Sequence, residues 1–469
     1  MSNKLNALDL AFLSLEKQST PVNVASLTIF EIPNDYKGNF PLDLLAKLQS
    51  QAARPPFNQK LSSTHSAALP SWVTDTQFDI HYHVRHSALP HPGSLDDLLA
   101  LTSRLHSQLL DRKRPLWEFY LIEGLEKNQF AMYLKMHHAA IDGMGGIELM
   151  QNWFSLCADD EIKAPWACMP SHSQKRALKL PGLIKNTTKL VEKVNANSKM
   201  IQDLSKMVIG QGLKAIGLNR NRSPMPFSAP QSIFNVPISA SRCFVVKLLS
   251  LAELEALGKQ ANATVNDIIL ALCSGALRKY MMAQRTLPKK PLIASVPVSV
   301  RQENHSGNQI TYVIADLATN EPDTLTRLNL IGKSTQDAKR ELVDVSAAAA
   351  TNFAFLAQGA VAVMNQLNIS SLMPPAANLI ISNVPGPRKP LYFGPAKLKA
   401  TYPLSVLVDG QALNITVVSY CDAISFGLLA CRDIVPDVDV IAEYIGSALE
   451  DIKAGLYLSK LMQEAQDEK

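Results

Sequence analysis

Apolar residues recur at intervals of three and four over SLDDLLALTSRLHSQLL (94–110), a period that predicts an amphipathic helix. Ser94 or a neighbour is placed to cap it, and Asp96 and Asp97 suit the positive end of its dipole. The period then changes. In QFAMYLKMHH (129–138), Phe130, Met132, Leu134 and Met136 alternate with Ala131, Tyr133 and Lys135, which predicts a strand. TPVNVASLTIFEI (20–32) and PLWEFYLIEGL (115–125) read as two more strands, the second ending at Gly124. PLDLLAKLQSQAA (41–53) reads as a helix, and GIELMQNWFSL (146–156) starts another after three glycines. The alternation restarts near residue 240 with a strand in CFVVKLLS and helices in LAELEALGKQA and TVNDIILALCSGALRKYMMAQ, the last capped by Thr264. PLIASVPVSVR, NLIISNVPGP, LNITVVSYC and AISFGLLACRD are strands, and DVDVIAEYIGSALEDIKAGLYLS closes as an amphipathic helix. Helices and strands mixed in this way predict an α/β layered fold. Prolines at 165, 170, 181, 224, 226, 230 and 237 mark the passage between the two alternating regions. The expected division is therefore 1–160, a partly helical crossover at 161–237, and 238–469.

Composition narrows the class. The chain has 469 residues, of which 47% are hydrophobic and 19% charged, enough for two real cores and too apolar for bulk disorder. The first residues carry Asp9 and Glu16 and no apolar run before a cleavage site, so no secretory signal is expected. Six scattered cysteines without CxxC spacing read as reduced thiols in a cytoplasmic protein. An uncharged stretch runs from 345 to 387, but Asn352, Gln358, Gly359, Asn365 and Gln366 interrupt it. It reads as a buried helix and strand of the second region rather than a membrane span. Its small and polar residues are also suited to lining a tunnel for an apolar substrate. HYHVRH (81–86) reads as a strand with His81 and His83 on one polar face, and no metal site is expected.

The segment richest in chemistry is KMHHAAIDGMGG (135–146). It sets His137 and His138 at a strand end, then Asp142, Gly143, Gly145 and Gly146. Histidine is the side chain best placed to move a proton near neutral pH. Beside a bound hydroxyl it can act as general base, while a carboxylate in the turn orients the loop and the glycines keep bulk away. Asn266 lies two residues beyond the cap Thr264, where its amide and the helix dipole can face a developing negative charge. Simple capping is the competing role. Ser299 and Arg301 share one face of an alternating strand, and Arg301 can pair with Asp142, meet a coenzyme A phosphate or form a surface ion pair.

HHAAIDG resembles the active-site motif of the coenzyme A-dependent acyltransferase superfamily. Four further segments narrow the resemblance to the bacterial wax ester synthase/diacylglycerol acyltransferase family. They are Pro115-Leu116-Trp117, Asn266-Asp267, the NVPGP run containing Asn383 and Pro385, and the opening LNALDLAFLSLEKQSTPVNVASLTIF. VPVSVR is similar as well. The resemblance implies two chloramphenicol-acetyltransferase-like domains with the active site in a tunnel at their interface. It implies transfer of a fatty acyl group from acyl-coenzyme A, a co-substrate, to a long-chain alcohol or diacylglycerol, with no other cofactor. His138 would be the base, with His137 beside it, Asp142 orienting and Asn266 stabilising the oxyanion. Gly143, Pro115, Trp117, Ser299, Arg301, Asn383 and Pro385 would shape the substrate site. Two other readings remain open: a condensation-type acyltransferase using carrier-bound acyl groups, and a non-catalytic lipid-binding scaffold.

Charge adds one element. The net charge of +5 is too small to argue for nucleic-acid binding. It is unevenly placed: residues 171–222 hold eleven Lys and Arg against two acids, a local +9 that leaves −4 elsewhere. With Leu180, Leu183, Ile184, Leu190, Val191 and Val194 interspersed, this basic stretch suits an anionic membrane or lipid-droplet surface, and equally a solvated interdomain helix. A cytoplasmic enzyme peripherally associated with the inner membrane or lipid inclusions is expected.

Overall fold

A computed structural model describes residues 3–5, 7–62, 70–140, 153–168, 224–225, 227–300, 309–343 and 374–467. The basic stretch 171–222 and most of the uncharged stretch lie outside these residues. Two six-stranded sheets form the frame, with a small three-stranded sheet at the N-terminal end. The first large sheet runs in spatial order Tyr392–Phe393, Ala396–Leu404, Asn23–Glu31, Gln129–His137, Trp117–Leu125 and Val84–Ala88. The second runs Gln309–Asp316, Ile293–Val300, Leu379–Val384, Leu413–Tyr420, Ala423–Cys431 and Arg242–Ser250. In it, Leu379–Val384 is parallel to both neighbours, and the remaining pairs are antiparallel.

Alternation in strand Gln129–His137 sorts its side chains onto two faces that are both buried. Phe130, Met132, Leu134 and Met136 join Phe30, Phe119 and Trp117 in one core. Ala131 and Tyr133 join a second core with Leu98 and Leu105, from the helix Leu95–His106, and with Phe244, Leu404 and Leu429. Lys135, on that second face, is fully buried yet matched. It bridges Glu118 at 3.0 Å and donates to the terminal carbonyls Leu105 O and Gln108 O at 3.0 and 3.3 Å. Ser94 caps the helix through a capping box with Asp97.

The same helix joins the two large sheets. Ser103 Oγ and Ser107 Oγ accept the backbone N–H groups of Phe244 and Arg242 at 2.9 and 3.2 Å, satisfying the outer edge of strand Arg242–Ser250. His106 Nε2 donates to Ser405 O at 3.0 Å, and its Nδ1 accepts from Tyr133 OH at 2.8 Å. A third core, around the helix Val265–Ala283, fills the space behind the second sheet with Ile268, Ile269, Leu272 and Leu277.

Strands Tyr392–Phe393 and Ala396–Leu404, although late in the chain, complete the first sheet, where Thr401 stands opposite Thr28. One expectation is corrected. HYHVRH does not begin as a strand. Asp79 caps His81 N, so Ile80–His83 forms one helical turn before strand Val84–Ala88. His83 then lies in the core, stacked on Trp117 and Phe78, and burial pushes its pKa down to about 4. Among the described residues no helix is long and apolar enough to cross a membrane.

Candidate active site

The histidine pair stands where strand Gln129–His137 ends. Its backbone is fixed from two sides: His137 N donates to Leu116 O at 3.0 Å, and His138 N donates to Val22 O at 2.9 Å. The PLW segment thereby supports the pair directly. Trp117 anchors that support. It is almost wholly buried, donates from Nε1 to Phe57 O at 2.7 Å and stacks on His83 and Trp166. Pro115 is buried beside it, its carbonyl accepting Trp117 N at 2.9 Å.

The two histidines differ. The His137 ring is fully buried. Its Nδ1 accepts from Ala139 N at 3.0 Å, and its Nε2 stands 3.4 Å from Glu16 Oε1, long for a hydrogen bond but within ion-pair range. The His138 ring is half-buried and packs against Phe12 with ring centroids 4.2 Å apart. Phe12 lies in the N-terminal helix Ala7–Leu15 and Glu16 directly follows it, so the end of that helix packs against the histidine pair. Burial pushes the Glu16 carboxyl up, but His137, the Val22 N–H and Arg112 outweigh it and hold its pKa below the usual value. Arg112 meets Glu16 Oε2 through Nε and Nη2 at 3.1 and 3.0 Å.

Across the molecule, Thr264 and Asp267 form a capping box at the start of the helix Val265–Ala283, and Thr335 Oγ1 donates to the remaining Asp267 oxygen at 2.8 Å. Capping is therefore assigned to Thr264 and Asp267, and Asn266 is released from it. Asn266 Oδ1 instead receives Asn383 Nδ2 at 3.4 Å, so the structure brings two expected site residues together. Asn383 lies on strand Leu379–Val384, and the NVPGP segment after it is pinned by Gly386 N to Ser419 Oγ and Cys421 N to Pro387 O, each at 2.9 Å. Pro385 is exposed. Ser299 stands opposite Ile310 in the second sheet. Asp142, Gly143 and Arg301 lie outside the described residues. Among those residues, no group of three or more His, Cys, Asp or Glu could hold a metal.

Sequence patterns did not reveal Glu16, Arg112 or Phe12. Their one visible signal is that two acids, Asp9 and Glu16, interrupt an otherwise apolar opening.

Models of two domains match the chain: the wax ester synthase/diacylglycerol acyltransferase catalytic domain over residues 5–269 and the corresponding C-terminal domain over 306–453. The chain belongs to the wax ester synthase/diacylglycerol acyltransferase family. It is 41% identical over 456 residues to the O-acyltransferase WSD of Acinetobacter baylyi, covering 95% of this chain and 96% of that protein. A Mycobacterium tuberculosis protein named "Probable diacyglycerol O-acyltransferase tgs2" is 36% identical, over 95% of this chain and 97% of its own length. The wax ester synthase/diacylglycerol acyltransferase from Marinobacter aquaeolei superposes with a TM-score of 0.77 at 32% identity, covering 97% of this chain and 99% of that one. The first condensation domain of the CDA synthetase shares the fold at a TM-score of 0.57 and 14% identity, over 96% of each chain. The fold is thus the one expected, and this member of the wax ester synthase/diacylglycerol acyltransferase family is an O-acyltransferase.

Proposed function

We propose that this acyltransferase moves a fatty acyl group from acyl-coenzyme A to a long-chain alcohol or diacylglycerol, with His138 as general base. The observation that carries the assignment is the division within the histidine pair. The His137 ring is fully buried, with Nδ1 bonded to Ala139 N and Nε2 beside Glu16 Oε1, whereas the His138 ring is half-buried at the strand end with its backbone fixed. His138 takes the hydroxyl proton as the acceptor oxygen bonds to the thioester carbonyl carbon. The carbon–sulfur bond then breaks, and the proton passes to the departing thiolate. Asn266, released from capping and held by Asn383, stabilises the tetrahedral oxyanion. Asp142 orients the loop after the histidines. The reacting groups meet in a tunnel between the two sheets.

Thiol release from palmitoyl-coenzyme A with hexadecanol or dipalmitoylglycerol tests this reading. A general base contributes about 10²–10⁴ in rate, so His138→Ala should lose nearly all turnover. Near-normal turnover in folded His138→Ala would remove the base assignment. Activity only with carrier-loaded thioesters would replace the donor.

The basic stretch 171–222 is the proposed docking strap for an anionic lipid surface, which would place the enzyme at the inner membrane or lipid inclusions. An exposed apolar row on the last turns of the helix Val438–Asp467, formed by Tyr457, Leu458, Leu461 and Met462, supports an interfacial site. Replacing several strap lysines by glutamine should weaken flotation with phosphatidylglycerol vesicles. Unchanged flotation would reject the strap.

A further inference from the structure

We propose that Glu16, gripped by Arg112, is a positioning residue that selects the tautomer of His137 and thereby fixes the turn carrying His138. The proposal rests on His138 being the base. Its physical content lies in the neighbouring ring.

His137 Nδ1 accepts the Ala139 N–H at 3.0 Å. In the neutral ring the proton therefore sits on Nε2, the nitrogen that lies 3.4 Å from Glu16 Oε1. The opposite tautomer would set an N–H against the Ala139 N–H and break the bond that shapes the turn. Residue 139 follows His138 directly, so loss of that bond moves the base itself. A carboxylate accepts hydrogen bonds and donates none, which makes Glu16 a selector for the Nε2–H form.

Glu16 is held for this task. Arg112 meets Oε2 twice and reaches on from Nη2 to Leu13 O at 2.6 Å, tying the carboxylate to the end of the N-terminal helix. Oε1 also accepts Val22 N at 3.2 Å, and Val22 O accepts His138 N at 2.9 Å. One carboxylate thus reaches His138 by two routes, through the His137 ring and through the Val22 backbone. Glu16 and His137 are both almost wholly buried, so water does not substitute for either contact.

Glu16→Gln separates this role from a merely structural one. Its carbonyl oxygen would turn to Arg112, presenting the amide NH₂ to His137 and favouring the Nδ1–H tautomer. Misplacement of a reacting group by about 1 Å can cost about 10² in rate, so kcat should fall on that order with little change in KM. Arg112→Met should behave alike, and Arg112→Lys should recover much of the loss. Nitrogen-15 spectra of histidine-labelled enzyme, with the His137 signals identified by their loss in His137→Gln, should show the Nε2–H form in the unmodified protein. They should show its loss in Glu16→Gln. An Nδ1–H tautomer in the unmodified enzyme would overturn the proposal. A folded Glu16→Gln enzyme with unchanged kcat, or with lowered kcat and an unchanged His137 tautomer, would also overturn it. Should His138→Ala prove active, the base assignment falls, while the tautomer spectra still decide the role of Glu16.

Discussion

Acid should loosen the seam between the two large sheets through His106. This ring is buried between the helix Leu95–His106 and the chain just beyond strand Ala396–Leu404. Burial pushes its pKa from 6.5 down to about 3, against the pull of Ser405 O and with help from the charges of Lys135 and Arg242. The unfolded chain restores the ordinary value. Well above pH 6.5 the ring is neutral in both states and contributes no pH dependence. Below it, the unfolded chain binds a proton that the folded protein refuses, so stability falls as pH drops toward 3. At pH 5 the unfolded ring is mostly protonated and the folded ring almost wholly neutral, a difference of about 2 kcal/mol. Urea unfolding of the native enzyme and of His106→Gln, at pH 7.5 and pH 5, isolates this effect. His83 titrates in both proteins and cancels in the comparison. The variant should start less stable, having lost the fit between Tyr133 OH and Ser405 O, yet lose about 2 kcal/mol less on acidification. Equal losses in the two proteins would refute the reasoning.

Three further outcomes concern Asn266 and the segment that holds it. Asn266→Ala should lower turnover by about 10²–10³ with little change in melting temperature, because Thr264 and Asp267 keep the cap; a large fall in melting temperature with normal turnover would assign it a structural role instead. Asn383→Ala should give a smaller fall in the same thiol-release assay, since it removes the donor to Asn266 Oδ1 and leaves Asn266 itself in place. Gly386→Ala would drive a Cβ to within 2.0 Å of Ser419 O, so its thermal midpoint should drop by several degrees and turnover should follow as Asn383 shifts.

The features legible in the sequence were those written by neighbours in sequence. The Ser94 and Thr264 caps rest on residues three positions away, and both became capping boxes. The alternating run before His137 is a strand because its two side-chain sets meet two different cores. Features that depend on distant partners were not legible. Glu16 joins the site only because folding carries Arg112 and His137 to it. HYHVRH misleads for a local reason: the Asp79 side chain captures His81 N and turns the backbone before the strand can begin. Trp117 shows what a motif leaves unsaid: PLW does not tell that its indole is committed to Phe57 O and to an aromatic stack with Phe57, His83 and Trp166.

The exchanged strand Ala396–Leu404 also dictates an order of assembly. Lys399 Nζ reaches Glu31 Oε2 at 3.4 Å from a position 368 residues later in the chain. As the chain leaves the ribosome, strand Asn23–Glu31 can pair early with Gln129–His137, but its other edge must wait until most of the protein has been made. Throughout that interval an apolar strand edge stands open, which invites pairing with other nascent chains and calls for chaperone protection. Splitting the enzyme at the proline-rich crossover would make the open edge permanent. The histidine-bearing half depends on the other half to complete its sheet.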